Sequence, residues 1–137
     1  MATPEPDGER ARLLVLDDEP LVCELFLDMA RTMGFETRCA SGASDIAAAA
    51  AGSYDAAVVD LHLGDVDVLD ALSRLAAGSP GCDVVLITGS AVSSTSAAAG
   101  WARTLGLHVV AELHKPVRIA ELRTLLAGLT TGAPAAS

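Results

Sequence analysis

Five times along this 137-residue chain a short aliphatic run is followed by a helix-forming pattern. That alternation limits the fold more than any other feature. Strands that each lead into a helix build a parallel sheet, because every crossover returns the chain to the same edge before the next strand begins. The first run, RLLVL at 12–16, has the continuous aliphatic content of a strand buried on both faces. Pro20 then opens a helix where its missing N–H is no loss. Val22, Leu25, Phe26, Met29 and Met33 recur at spacings of three and four, forming one apolar stripe. Gly34 stops that helix.

The rest follows the same rhythm. A second strand is expected at 35–39, with the polar mix of an edge, and an alanine-rich helix at 43–51, closed by Gly52. A third strand is expected at 54–59 (YDAAVV). Val68, Leu69, Leu72 and Leu75 mark a third helix, ended by Gly78 and Pro80. The fourth strand is DVVLI at 83–87, and a fourth helix over 91–105 starts poorly on Ser93, Ser94, Thr95 and Ser96. The fifth strand spans 107–113. Ile119, Leu122, Leu126 and Leu129 stripe the last helix. Residues 1–9 read as a disordered leader and 130–137 (TTGAPAAS) as a flexible tail, so 10–129 is one domain.

Ligands of open α/β sheets sit at the carboxyl ends of the strands. The first strand ends in Asp17-Asp18, the third in Asp60, the fourth in Thr88, and the fifth near Lys115, followed by Pro116. Singly these residues are unremarkable: an aspartate after a strand often forms a turn or caps a helix, and Thr88 could cap too. Together they are harder to dismiss. Three carboxylates at one edge repel, and protonation or a bound cation relieves that. Oxygen ligands suit Mg²⁺ or Mn²⁺. A lysine and a hydroxyl beside such an ion can hold a phosphoryl group, and one carboxylate can attack it.

Charge supports that reading. Eight of the nine basic residues are Arg, and Lys115 is the single lysine; a compact, flexible ammonium has been kept at one place. The net charge of −9 argues against direct binding of nucleic acid or of anionic membranes. No apolar run approaches the roughly 18 residues of a membrane span, and the first ten residues have no signal-peptide pattern, so a cytoplasmic protein is expected. Cys23, Cys39 and Cys82 are odd in number and widely spaced, which argues against disulfides or zinc and for small buried hydrophobes in a reducing compartment.

LVLDDEP, VVDLHLGDVDVLDAL, LITGS and LHKPV resemble the four motif regions of response-regulator receiver domains, from residue 12 to about 128. The intervals are workable: 42 residues from Asp18 to Asp60 and 28 from Asp60 to Thr88. The resemblance implies a five-stranded doubly wound parallel sheet, flavodoxin-like in its 2-1-3-4-5 order. It implies that Asp60 is the phosphoacceptor, that Asp18 ligates Mg²⁺ (or Mn²⁺) directly with Asp17 assisting, and that the backbone carbonyl of His62 adds a ligand. Thr88, Lys115 and the backbone amides of Leu61 and Gly89 would hold the phosphoryl group. Pro116 would carry a cis peptide bond that aims the lysine. A histidine kinase or histidine phosphotransfer protein would be the donor, and the chain would catalyse only its own phosphorylation and dephosphorylation. With no second domain in the sequence, output to a downstream protein by direct contact is expected.

Three departures stand out. The family usually has Tyr or Phe three residues before the lysine, where this chain has Glu112, so coupling of threonine movement to an aromatic ring is lost. The loop after Asp60 has Gly64 and Val68 at places where Pro and Gly are usual. Thr88 to Lys115 spans 27 residues, several more than is common, so the segment 89–106 is longer or differently placed. The His62 side chain either gates water or is a plain loop residue. His108 and His114 read as structural or surface groups, and Trp101 as packing of the fourth helix. The competing readings are a constitutive interaction module without regulated phosphorylation and an aspartyl-nucleophile phosphatase. The latter commonly uses DxD after the first strand, where this chain reads Asp17-Asp18-Glu19-Pro20. A flavin site would want a Ser/Thr/Gly-rich loop there.

Overall fold

The computed structural model describes residues 11–89 and 92–136; the expected leader at 1–9 lies outside them. The five strands are β1 (Arg12–Leu16), β2 (Glu36–Ala40), β3 (Ala56–Asp60), β4 (Asp83–Thr88) and β5 (His108–His114). The helices are α1 (Pro20–Thr32), α2 (Ala43–Ala50), α3 (Val68–Gly78), α4 (Val92–Thr104) and α5 (Ile119–Ala136). All strand pairs are parallel, in the order β2-β1-β3-β4-β5. The parallel strands are those the alternation implies, and the doubly wound, flavodoxin-like order is the one the family resemblance implies.

Side-chain alternation along the strands divides the core into two layers. Leu14, Leu16, Ala57, Val59, Val84 and Leu86 face α2, α3 and α4, where they meet Ile46, Leu72, Leu75 and Ala102. Leu13, Val15, Val58, Val85 and Ile87 face α1 and α5, where they meet Phe26, Met29, Leu122 and Leu126. With few aromatics to fill space, alanines at 49, 98, 99 and 102 line the first layer. Full burial of each Leu or Val side chain contributes about 1.5–3 kcal/mol.

Several boundaries differ from the sequence expectation, three of them instructively. β2 starts one residue later, because Phe35 turns into the core at 3% exposure. β3 begins at Ala56, because Tyr54 belongs to a latch: its amide donates to Ser79 Oγ at 2.8 Å, and its hydroxyl donates to the Ala49 carbonyl at 2.8 Å. α5 runs to Ala136, past Leu129 where its apolar stripe ends. The expected start of α4 at Ala91 lies outside the described residues.

The cysteine expectation is corrected for two of three. Cys23 on α1 and Cys39 on β2 form a disulfide, with Cα atoms 5.9 Å apart, because α1 packs over the β1–β2 edge. Cys82 is a free, buried thiol, and burial, with Asp83 and Asp55 nearby, pushes it up to about 12. Trp101 bridges rather than buries: its Nε1 donates to the Leu69 carbonyl of α3 at 3.3 Å, and the residue is 40% exposed. His108 sits at the opposite sheet edge from the acids, its Nδ1 2.7 Å from Asp83 Oδ1.

Candidate phosphoacceptor and metal site

Sheet register delivers the acids to one place. Leu16 pairs with Val59, so Asp17 and Asp60 leave adjacent strands at the same level. Asp60 pairs with Ile87, and Thr88 pairs with His114, which sets Thr88 and Lys115 beside them. The Lys115 amide donates to the Thr88 carbonyl at 2.8 Å, tying the lysine to the end of β4. The Lys115–Pro116 peptide bond is cis.

Asp60 has no exposed surface, and Asp17 and Thr88 are 3% exposed. A buried carboxylate needs partners, and Asp60 has two. Lys115 Nζ donates to Oδ2 at 2.7 Å, and the His62 amide donates to Oδ1 at 2.8 Å. Asp17 accepts from the Glu19 amide at 2.9 Å. Oxygens of Asp17, Asp18 and Asp60 lie within 4.8 Å of one another. The loop after Asp60 passes close by: Gly64 sits at φ +61, and a side chain there would come within 3.6 Å of Asp18 Oδ2. Leu63, 2% exposed, anchors that loop in the core. Asp67, whose side chain accepts from the Leu69 amide at 2.9 Å, then caps α3.

The electrostatics follow from crowding. Burial, opposed by the Glu19 amide and reinforced by the charge of Asp60, raises Asp17 to about 6. Partial burial pulls the Lys115 ammonium down, but the hydrogen bond and charge of Asp60, with Asp17 and Asp18 behind it, outweigh that and hold it above the ordinary lysine value. One cation is therefore shared among three acids. A divalent ion fits this donor set: all three ligands are hard oxygens, and the acids lack sufficient counter-charge among the described residues.

The two amides that follow Asp60 have different partners. The Leu61 amide donates to the Ile87 carbonyl at 2.8 Å, extending the sheet ladder, so it is already committed. The amide turned toward the Asp60 carboxylate is that of His62, whose side chain is exposed. Sequence spacing alone does not distinguish two consecutive amides; the ladder register does. Gly89 follows Thr88 at the exposed edge, with open space around it. Glu112 lies on β5 opposite Leu86, and its carboxylate is 3.7 Å from Arg103 of α4. An ion pair occupies the place where the family has an aromatic ring.

Known proteins agree with this architecture. The model of the response regulator receiver domain matches residues 13–127. The probable transcriptional regulatory protein TcrX of Mycobacterium tuberculosis (strain ATCC 25618 / H37Rv) is 39% identical over 83 residues, which is 60% of this chain and 36% of that protein. The chain thus spans about a third of that relative's length. Among solved structures, the CheY-like receiver domain protein from Methanospirillum hungatei JF-1 has a TM-score of 0.75 at 19% identity, covering 93% of this chain and 99% of its own. A Burkholderia pseudomallei response regulator with a phosphorylated aspartic acid, calcium ion and citrate has a TM-score of 0.69 at 23% identity, covering 91% and 71%. The response regulator TrrA of Thermotoga maritima, in complex with Mg²⁺-BeF, has a TM-score of 0.66 at 22% identity, covering 87% and 98%. With the family model spanning most of its length and the fold in the same strand order, this chain belongs to the response regulator receiver domain family of two-component systems.

Proposed function

We propose that Asp60 accepts a phosphoryl group from a phosphohistidine on a histidine kinase or histidine phosphotransfer protein. The observation that carries this reading is the fully buried Asp60 carboxylate held 2.7 Å from Lys115 Nζ, with Asp17 and Asp18 beside it. A carboxylate oxygen of Asp60 attacks phosphorus, the P–N bond breaks, and the donor imidazole leaves with the electron pair. Lys115, the Thr88 hydroxyl and the amides of His62 and Gly89 then hold the phosphoryl oxygens. Asp17, Asp18, Asp60 and the His62 carbonyl are the residues that would hold Mg²⁺ or Mn²⁺. The bound ion supplies charge neutralisation of those oxygens.

The donor has a place to dock. A cavity of about 470 Å³ opens beside Asp17 and Lys115, lined by Val22, Leu25, Phe26, Pro116 and Ile119. Leu25, 51% exposed, lies on its lining, and Leu21, 80% exposed, precedes it by about one turn of α1. An amphipathic helix bearing the phosphohistidine suits such a lining.

Phosphorylation exchanges a carboxylate for a group of roughly −2 charge and biases the 89–106 segment, with output passed to a downstream protein by contact. In this reading the chain turns over no external substrate, is cytoplasmic, and makes no direct contact with nucleic acid. The receiver unit is 10–129. A second reading, a constitutive interaction module, draws on one observation: Glu112 is paired with Arg103 where an aromatic switch is usual. A small phosphodonor with Mg²⁺ separates the two. The leading reading expects one base-labile phosphoryl group per chain, absent in Asp60→Asn. Bound Mg²⁺ without any uptake supports the constitutive module, and steady hydrolysis of a phosphate ester supports a phosphatase.

A further inference from the structure

The Cys23–Cys39 pair lies one short step from the acid site on two sides. On one side, the Cys23 amide donates to the Glu19 carbonyl at 3.0 Å, and the Glu19 amide donates to Asp17 Oδ1 at 2.9 Å. On the other, Cys39 precedes Ala40, whose carbonyl accepts from the Asp17 amide at 3.2 Å. Both the side chain and the backbone of Asp17 are thus positioned by segments that the disulfide joins. The geometry also suits a bond that opens and closes. The Cα separation of 5.9 Å lies in the ordinary disulfide range, so neither α1 nor β2 must move to form it. Cys39 is half-buried on the edge strand and within reach of a small reagent, whereas Cys23 is 5% exposed behind it. Cys82 is remote from this pair in the fold, on the α3–β4 connection, and buried.

We infer that Cys23 and Cys39 form a reversible thiol–disulfide site, and that its redox state sets how firmly Asp17 is held for the divalent ion. The coupling rests on the metal reading given above; the disulfide chemistry does not. A low-molecular-weight disulfide such as oxidised glutathione is the oxidant class. The Cys39 thiolate attacks one of its sulfurs and releases one glutathione thiolate. The Cys23 thiolate then attacks Cys39 Sγ in the mixed disulfide, closing the bond and releasing the second. Two protein thiols lose two electrons and two protons, and one disulfide becomes two thiols. In the closed form α1 and β2 clamp Asp17 from both sides; in the open form each can shift alone.

The test compares the full chain treated with oxidised glutathione against the chain reduced with dithiothreitol. Thiol counting in denaturant should give one free thiol after oxidation and three after reduction, and peptide mapping should place the bond between 23 and 39. Calorimetric titration with Mg²⁺ should show affinity about fivefold higher for the oxidised form. Cys39→Ser, a half-buried edge-strand change, should bind like the reduced form and ignore the oxidant. Cys23→Ser repeats the test should the first variant misfold. Three free thiols after oxidation, or equal Mg²⁺ affinity in both forms, overturns the inference while leaving the site reading intact. Absence of Mg²⁺ binding in either form overturns the site reading and the inferred coupling together.

Discussion

Lys115 and Asp60, 55 residues apart in the chain, meet at 2.7 Å, and the ammonium is the one side-chain donor to a carboxylate with no exposed surface among the described residues. Removing it should strand that carboxylate. Lys115→Met is expected to lower stability by about 1–3 kcal/mol in metal-free buffer, the scale of leaving a buried polar group unpaired. Mg²⁺ should recover part of the loss, because the ion replaces the missing counter-charge. Urea denaturation with and without Mg²⁺ checks this; an undiminished midpoint without metal means the pair contributes nothing.

Asp17 gives the pH dependence. Its folded-state pKa is raised from 3.8 to about 6, so its contribution to stability is complete below the unfolded value and fades as pH rises through about 6. Divalent-ion binding requires the deprotonated form and opposes that fading. The thermal stabilisation produced by Mg²⁺ should therefore be larger at about pH 7.5 than at about pH 5. Differential scanning calorimetry at the two pH values reads the difference; equal shifts place Asp17 outside the metal site.

Two glycines in helices should respond with opposite sign. A Cβ on Gly78 would lie 2.5 Å from the Gly52 carbonyl and 2.6 Å from that of Ala51, whereas a Cβ on Gly100 meets nothing within 4 Å. Helix propensity alone favours alanine over glycine by about 1 kcal/mol. For Gly78→Ala the overpacking cost of about 1–3 kcal/mol exceeds that gain, and melting temperature should fall. For Gly100→Ala it should rise. Matching signs in the two melts would contradict the close approach of α3 to the α2–β3 connection.

The Arg103–Glu112 pair is exposed and 3.7 Å long, so it is worth little to stability. Glu112→Gln should change unfolding free energy by less than about 0.5 kcal/mol and leave phosphoryl uptake at Asp60 unaltered. Loss of uptake would show that Glu112 acts on the acid site rather than on the face away from it.

The fold was largely legible because its strands carry unbroken aliphatic runs; RLLVL at 12–16 matches β1 residue for residue. Legibility failed where tertiary contacts override local pattern. Tyr54 has the makings of a strand residue, yet its hydroxyl and amide are claimed by Ala49 and Ser79. Cys23 and Cys39 are 16 residues apart with no motif between them, and only the packing of α1 on the sheet edge joins them. At the site, residue types and intervals pointed to Asp17, Asp18, Asp60, Thr88 and Lys115 because each terminates a strand. That the His62 amide is the one bonded to the Asp60 carboxylate was hidden, since it depends on which N–H the β4 ladder consumes.

The most direct test of the account is the chemical location of the phosphoryl group. The chain would be incubated with a small phosphodonor and Mg²⁺, reduced with borohydride to convert an acyl phosphate to an alcohol, digested, and sequenced by mass spectrometry. Homoserine at position 60, absent when Mg²⁺ is chelated, is the predicted result. An unmodified Asp60 in protein shown to bind Mg²⁺, or label at another residue, would contradict it.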